Sequence, residues 1–369
     1  MRKTCRHLAD GREIIYYDIL PAPERRAQDT RDLGPRPTSA ELRHDPVLGA
    51  WVMYGSSRQD RTYLPAREEC PLCPTRFGQE TEIPEREYQV AVFENRFPAL
   101  SSSTGGTVGT PPGGQGLLEW SRSAGRCEVV CYTDDHDATF AELGPERVDL
   151  VLSALADRTT ELSEMKAVEQ VFCFENRGRE IGVTQAHPHG QIYAYPFVAP
   201  RTEKMLASAQ DYRSRHGGNL FDDLVTAERL DGRRVVIGTE HWTAFVPFAA
   251  RWPYELHCYP NARVPDLASL GPAPRSELPA VLLDIFGRFA RLFEVPAPYI
   301  AGWHQAPVRR GRDELALHLE MFTSRRANDK LKFLAGSESG LDAFANDILP
   351  ETAAARLREV GQATGVPRA

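Results

Sequence analysis

Along most of the chain apolar and polar residues alternate over short stretches, and only two segments carry a convincing helical stripe. The runs YQVAVFEN, CEVVCYT, EQVFCFEN, QIYAYPFV, RRVVIGT, HWTAFVPF and PYELHCYP are rich in β-branched and aromatic residues and predict strands. After Pro145, the residues Val148, Val151, Leu152, Leu155 and Leu162 share one helix face. A second stripe, near residues 278–293, joins Leu278, Val281, Leu282, Ile285, Phe289 and Leu292. Both stripes read as core. The elements also recur in order. VFENRFP, CEVVCYTDDH, a helix, VFCFENRG and HPHGQIYA are answered by FVPFAARWP, ELHCYPNA, a helix, PYIAGWHQAP and LHLEMF. Two copies of one β-rich unit, with antiparallel sheets and a helix laid across each, account for that order, so the predicted fold class is α+β.

Punctuation in the sequence divides the chain further. Residues 1–40 read as a mobile N-terminal arm whose 21–37 stretch is rich in Pro, Arg and Asp. Residues 41–197 form the first unit and 198–369 the second. The Gly/Pro/Ser/Thr stretch 101–116 reads either as a disordered excursion or as a mobile flap.

Composition narrows the function. With 369 residues, 41% of them apolar, the chain can bury a substantial core. Lys and Arg number 44 against 51 Asp and Glu, a formal charge of -7, so there is no overall field for gripping nucleic acid. A small anionic ligand held by local arginines remains open. The first twenty residues lack a continuous apolar segment and no later stretch is long enough to span a bilayer, so a soluble cytoplasmic protein is expected. Seven scattered cysteines do not suggest a disulfide framework.

The chemistry concentrates in two motifs. In His187-Pro188-His189-Gly190-Gln191, residues two apart in an extended segment point the same way, so His187, His189 and Gln191 can converge. Two histidines on an ordinary surface strand are the plain alternative. Cys70 and Cys73 have the C-x-x-C spacing that lets two thiolates reach one tetrahedral ion, and His136 and His187 are the best remaining donors. Two Cys and two His make a closed, structural zinc site. His189 is then left as a free imidazole, a good nucleophile toward phosphorus near neutral pH, with Gln191 able to donate to a phosphoryl oxygen.

These motifs, together with C-P-L-C, VVCYTDDH, FENRG, GWHQAP and KFLAGSE in the same order, resemble the galactose-1-phosphate uridylyltransferase family of the histidine triad superfamily. The resemblance runs from about Arg43 to near the C-terminus. It implies a tandem of two histidine-triad-like units and a homodimer with a shared active site. It also implies UMP transfer from UDP-glucose to a hexose 1-phosphate, galactose 1-phosphate, through a uridylyl-histidine. His189 falls on the nucleophile, Gln191 on the phosphoryl-binding glutamine, and Cys70, Cys73, His136 and His187 on the zinc ligands. Arg58 and Arg61 fall on arginines of the nucleotide phosphates, Phe93, Asn95 and Phe97 on the uracil pocket, and Asn176 and Thr184 on the phosphate and sugar side. Lys332, Phe333, Ala335 and Glu338 fall on the hexose-binding segment given by the second subunit, where Ser337 replaces a tyrosine common in relatives. Some relatives hold a second metal through three histidines and a glutamate of the second half. Here His304 and His318 are kept, but Glu320 replaces the third histidine and Met205 the glutamate. That site is expected to be weak or empty, with Glu320 or Glu203 as spare oxygen donors. Two rivals are a histidine triad phosphorylase, which passes the nucleotidyl group to inorganic phosphate from the same adduct, and a zinc-knuckle nucleic-acid binder, whose basic stripe is missing.

Overall fold

In the computed structural model, residues 1–34, 40–55, 64–101, 109 and 116–362 are described. The first half supplies β1 (Arg2–His7), β2 (Glu13–Asp18), β3 (Glu41–Asp45), β4 (Ala50–Tyr54), β5 (Val90–Glu94), β6 (Trp120–Arg122), β7 (Arg126–Cys131), α1 (Pro145–Glu164), β8 (Gln170–Arg177) and β9 (His189–Tyr195). The second supplies α2 (Pro200–His216), α3 (Leu220–Asp231), β10 (Val235–Gly238), β11 (Trp242–Phe245), β12 (Tyr254–Pro260), α4 (Pro272–Ala290), β13 (Tyr299–His304), β14 (His318–Thr323), β15 (Arg325–Ala327), β16 (Lys330–Leu331), α5 (Gly336–Leu341) and α6 (Pro350–Gln362).

The fold is α+β, as expected, but the two units share one sheet. Eleven described strands run in the order β1-β2-β5-β7-β9-β8-β13-β14-β12-β11-β10. The halves join where β8 pairs with β13, Tyr299 opposite Arg177 and Trp303 opposite Cys173, and every pairing in the sheet is antiparallel. Strand alternation then sorts the side chains. Val92, Val130, Ile192, Cys173, Ala301, Leu319 and Cys258 point to one face, where α1 and α4 cover them in a single core. Both predicted helical stripes are buried there, Val148 to Leu162 in α1 and Leu278 to Phe289 in α4. Helix α1 begins on Pro145, whose missing N–H costs nothing in a first turn. Helix α4 starts earlier than its stripe, at Pro272, because its opening turns hold prolines and polar residues that no periodicity marks.

The opposite face is treated differently in each half. Helices α2 and α3 cover it in the second half, with Leu206, Phe221 and Val225 packed on Phe245 and Tyr259. Helix α2 carries no apolar stripe, since only Thr202, Leu206 and Ala209 of its 17 residues are buried, whereas the short α3 buries Phe221, Val225 and Glu228 at helical spacing. In the first half this face holds the cysteine and aromatic cluster described below, and among the described residues it is left open beside it.

The expected arm over residues 1–40 needs correcting at its start. Arg2–His7 and Glu13–Asp18 form a hairpin that pairs onto β5, because Ile14 and Tyr16 fill one face of the sheet and Ile15 and Tyr17 the other. The irregular stretch that follows is tied down by charge. Arg25 donates to Asp18 at 3.1 Å with both side chains buried, Arg31 to Glu82 at 2.9 Å, and the Ala27 amide to Glu85 at 2.9 Å. Of the 101–116 loop, residues 102–108 and 110–115 lie outside the described residues, and Gly109 bridges to Trp120.

Candidate active site and metal-ligand cluster

Registers across β5, β7, β9 and β8 build the site from the backbone up. Phe93 lies opposite Val129, Val129 opposite Gln191, and Gln191 opposite Phe174, so these four form one row across the open face. His189 and Gln191 share that face because they are two apart on β9. Gly190 between them faces the core. A Cβ there would lie 2.0 Å from the Tyr132 hydroxyl and 2.9 Å from the Phe174 carbonyl, so only glycine fits.

The row floors a cleft of ≈180 Å³ lined by Phe93, Asn95, Phe97, Thr184, His189 and Gln191 from the predicted set. Asn95 shapes its mouth, its side-chain oxygen accepting from the Phe97 amide at 2.9 Å. Pro71, Leu72, Glu82, Arg96, Val129 and Gln185 also line it and were not singled out in the sequence. Of these, Val129 was readable from the alternation of CEVVCYT. Glu82 was not, since Arg12 and Arg31 of the N-terminal segment hold it in the wall, at 2.6 and 2.9 Å.

His189 Nδ1 lies 2.7 Å from the His187 carbonyl. The ring therefore donates through Nδ1 and leaves Nε2 with its lone pair, the arrangement a nucleophile requires. Burial outweighs that hydrogen bond and holds the imidazole below its usual pKa, which favours the neutral ring.

Directly behind stands a cluster of Cys70, Cys73, His136 and His187, their donor atoms all within 4.8 Å of one another. Cys73 Sγ is 3.3 Å from His136 Nδ1 and 3.5 Å from His187 Nδ1. Ligands about 2.0–2.3 Å from a tetrahedral ion stand about that far apart, so the four donors fit a metal. The two thiols perturb each other, the Cys70 thiol pushed down and that of Cys73 up as they share a proton. Outer partners fix His187, whose Nε2 is 2.8 Å from both the Thr133 carbonyl and the Tyr88 hydroxyl, while Tyr88 donates to the Leu72 carbonyl at 3.0 Å. No sequence signal marked Tyr88.

The other sequence candidates fall elsewhere. Asn176 is half-buried near the end of β8, on the same face as Phe174 but outside the cleft lining. Lys332, Phe333, Ala335 and Glu338 do not line the cleft of their own chain: Lys332 pairs with Glu338 at 3.2 Å, Glu338 accepts from the Ala335 amide at 3.0 Å, and Phe333 is 74% exposed. Arg58 and Arg61 lie outside the described residues.

Residues 34–199 match the galactose-1-phosphate uridyl transferase N-terminal domain, and residues 205–365 the C-terminal domain of the same family. A galactose-1-phosphate uridylyltransferase of Streptomyces lividans is 48% identical over 98% of both chains. One of Thermotoga maritima is 35% identical over 86% of this chain and 98% of its own. A solved uridylyltransferase superposes with a TM-score of 0.77 at 29% identity, covering 88% of this chain and all of that one. The class is thus a nucleotidyltransferase enzyme on an α+β scaffold. Within it, the chain belongs to the galactose-1-phosphate uridylyltransferase family.

Proposed function

We propose that this chain transfers UMP from UDP-glucose to galactose 1-phosphate by two displacements at His189. Nε2 attacks the α-phosphorus of UDP-glucose, the bond from that phosphorus to the bridging oxygen breaks, and glucose 1-phosphate leaves. A phosphate oxygen of galactose 1-phosphate then attacks the same phosphorus, the P–N bond breaks, and UDP-galactose departs with His189 restored. The observation that carries this reading is the Nδ1 contact to the His187 carbonyl, which frees Nε2 in a cleft that Gln191 shares. Gln191 donates to the phosphoryl oxygens as charge develops, Phe93, Asn95 and Phe97 hold the uracil, and Thr184 and Asn176 face the phosphates and sugar.

Zinc is the ion that two thiolates and two imidazoles suit best, held by Cys70, Cys73, His136 and His187. Its contribution is structural, fixing the segment that carries His187 and, two residues on, His189. Arg58 and Arg61 belong to the phosphates. Lys332, Phe333, Ala335 and Glu338 serve the hexose in the cleft of a second copy, so the working form is a homodimer, with residues 41–197 and 198–369 as its two units. No helix among the described residues is long and apolar enough to cross a membrane, and the cytoplasm is the proposed location.

An acceptor panel tests the assignment. With UDP-glucose as donor, galactose 1-phosphate should give UDP-galactose at a rate well above that at which inorganic phosphate gives UDP. The reverse order would make the enzyme a phosphorylase.

A further inference from the structure

From the seam between β8 and β13 the strand order runs outward alike on both sides, β8-β9-β7-β5 on one and β13-β14-β12-β11 on the other. β14 is therefore the counterpart of β9. Each opens on a histidine with a polar partner two residues on, His189 with Gln191 and His318 with Glu320. Their rings are held alike, His318 Nδ1 lying 2.9 Å from the Ala316 carbonyl. Glu320 lies opposite His257 of β12, where Gln191 lies opposite Val129 of β7. The second half thus repeats the catalytic strand pair, but buries it beneath α2 and α3 with His318 at 1% and Glu320 at 3% exposure.

This is the place that the resemblance gives to the second metal of some relatives, and the set of three histidines and a glutamate is not complete here. Met205 packs among the apolar side chains of α2 and α3, and Glu203 pairs with Arg310 at the surface. The remaining donors fall into two groups of three that share Glu320, namely His304, His318, Glu320 and Glu255, His257, Glu320. Neither group makes a closed set of four. Both are also engaged. His257 Nε2 lies 2.9 Å from Glu255, and the Arg201 guanidinium lies 2.6 Å from Glu320 Oε2, closer than the imidazoles of His304 at 3.3 Å and His318 at 3.4 Å.

We infer that Arg201, reaching in from the second residue of α2, is the resident cation of this cluster, so that the second copy of the catalytic strand pair is closed by the ion pair of a half-exposed guanidinium with the buried Glu320 and holds no metal. A buried carboxylate is strongly disfavoured without compensating charge, and of the groups around Glu320 the Arg201 guanidinium stands nearest and is charged at any ordinary pH. Helix α2 is thereby fastened over the sheet at its first turn, which keeps the second cleft shut while the first stays open.

Two measurements test this. Full-length protein exposed in turn to excess Zn²⁺ and Fe²⁺ and then freed of unbound ion should retain no equivalent that depends on His304. An equivalent present in the wild type and lost in His304→Gln would overturn the inference. In thermal unfolding, Arg201→Met should lower the midpoint by roughly 5 °C, Arg201→Lys should lower it less, and adding Glu320→Gln to Arg201→Met should recover most of the loss. Strictly additive effects of Arg201→Met and Glu320→Gln would show that the two side chains do not act as a pair and would overturn the inference equally. The metal measurement needs no substituted protein to fold, and neither readout depends on the reaction at His189.

Discussion

At the scale of single residues, the parts of the site that are spelled by spacing were legible and those fixed by depth were not. His189 and Gln191 announce themselves because alternation assigns them a face, and C-x-x-C announces the cluster in which Cys70 and Cys73 meet His136 and His187 at the spacing of metal ligands. Tyr88, Glu82 and Arg201 act through partners 99, 70 and 119 residues distant in the chain (His187, Arg12 and Glu320), and nothing local marks them. Glu175 belongs with them. It faces the core opposite Gly190, accepts from the Tyr299 hydroxyl at 2.6 Å, and burial raises its pKa to about 7 despite that hydrogen bond. A raised carboxyl pKa adds stability that is full below the unfolded value of about 4.3 and is lost as pH climbs through the folded one. This single group should therefore cost the wild type up to about 3 kcal/mol between pH 4.5 and 7. Glu175→Gln keeps an acceptor for Tyr299 and cannot ionise. Urea midpoints taken across that interval should fall less steeply for the variant, and parallel slopes would contradict the assignment.

Among the elements, strands were read well and helices unevenly. All seven strand runs named from composition and alternation fall on observed strands, because a strand with one face on a core must alternate or fill both faces with apolar residues. Helices α1 and α4 showed their stripes, whereas α2 covers the sheet with few buried side chains and carries a mostly polar surface. The opening hairpin was missed because EIIYYD buries both faces and so lacks alternation, which made a Pro- and Arg-rich sequence nearby the stronger local signal. The segment from Cys70 to Cys73 has little regular structure of its own, and the proposed zinc would fix its shape. Cys70→Ala should lose zinc, measured as well under one equivalent by elemental analysis, and should lower the unfolding midpoint by roughly 5 °C or more. Full zinc content in that variant would remove Cys70 from the ligand set.

For the whole molecule, the repeated order of motifs foretold the tandem, but not that the two sheets fuse through β8 and β13, since a pairing between halves leaves no trace in either half. On the face away from α1 and α4, the described part of the fused sheet is covered by α2 and α3 in the second half and carries the cleft with His189 in the first. The segment from Lys332 to Glu338 stands away from the cleft of its own chain, with Phe333 exposed, which suits a role in a second copy. If the site is shared, an inactive His189→Asn protein and an inactive Lys332→Ala protein, refolded together at equal amounts, should regain about a quarter of wild-type activity, because half the dimers are mixed and each has one intact site. No recovery despite mixed dimers would mean that each chain works alone. The central claim, that His189 carries the transferred group, is tested most directly by mass spectrometry of protein incubated with UDP-glucose and no acceptor, under mildly alkaline conditions that preserve a phosphoramidate. The expected result is one added UMP per chain on the peptide containing His189, discharged by galactose 1-phosphate to UDP-galactose. In His189→Asn the adduct should be absent, turnover reduced by roughly 10⁴ or more, and zinc content unchanged. UDP-galactose formation at wild-type rates by His189→Asn, or an adduct on any other residue, would contradict it.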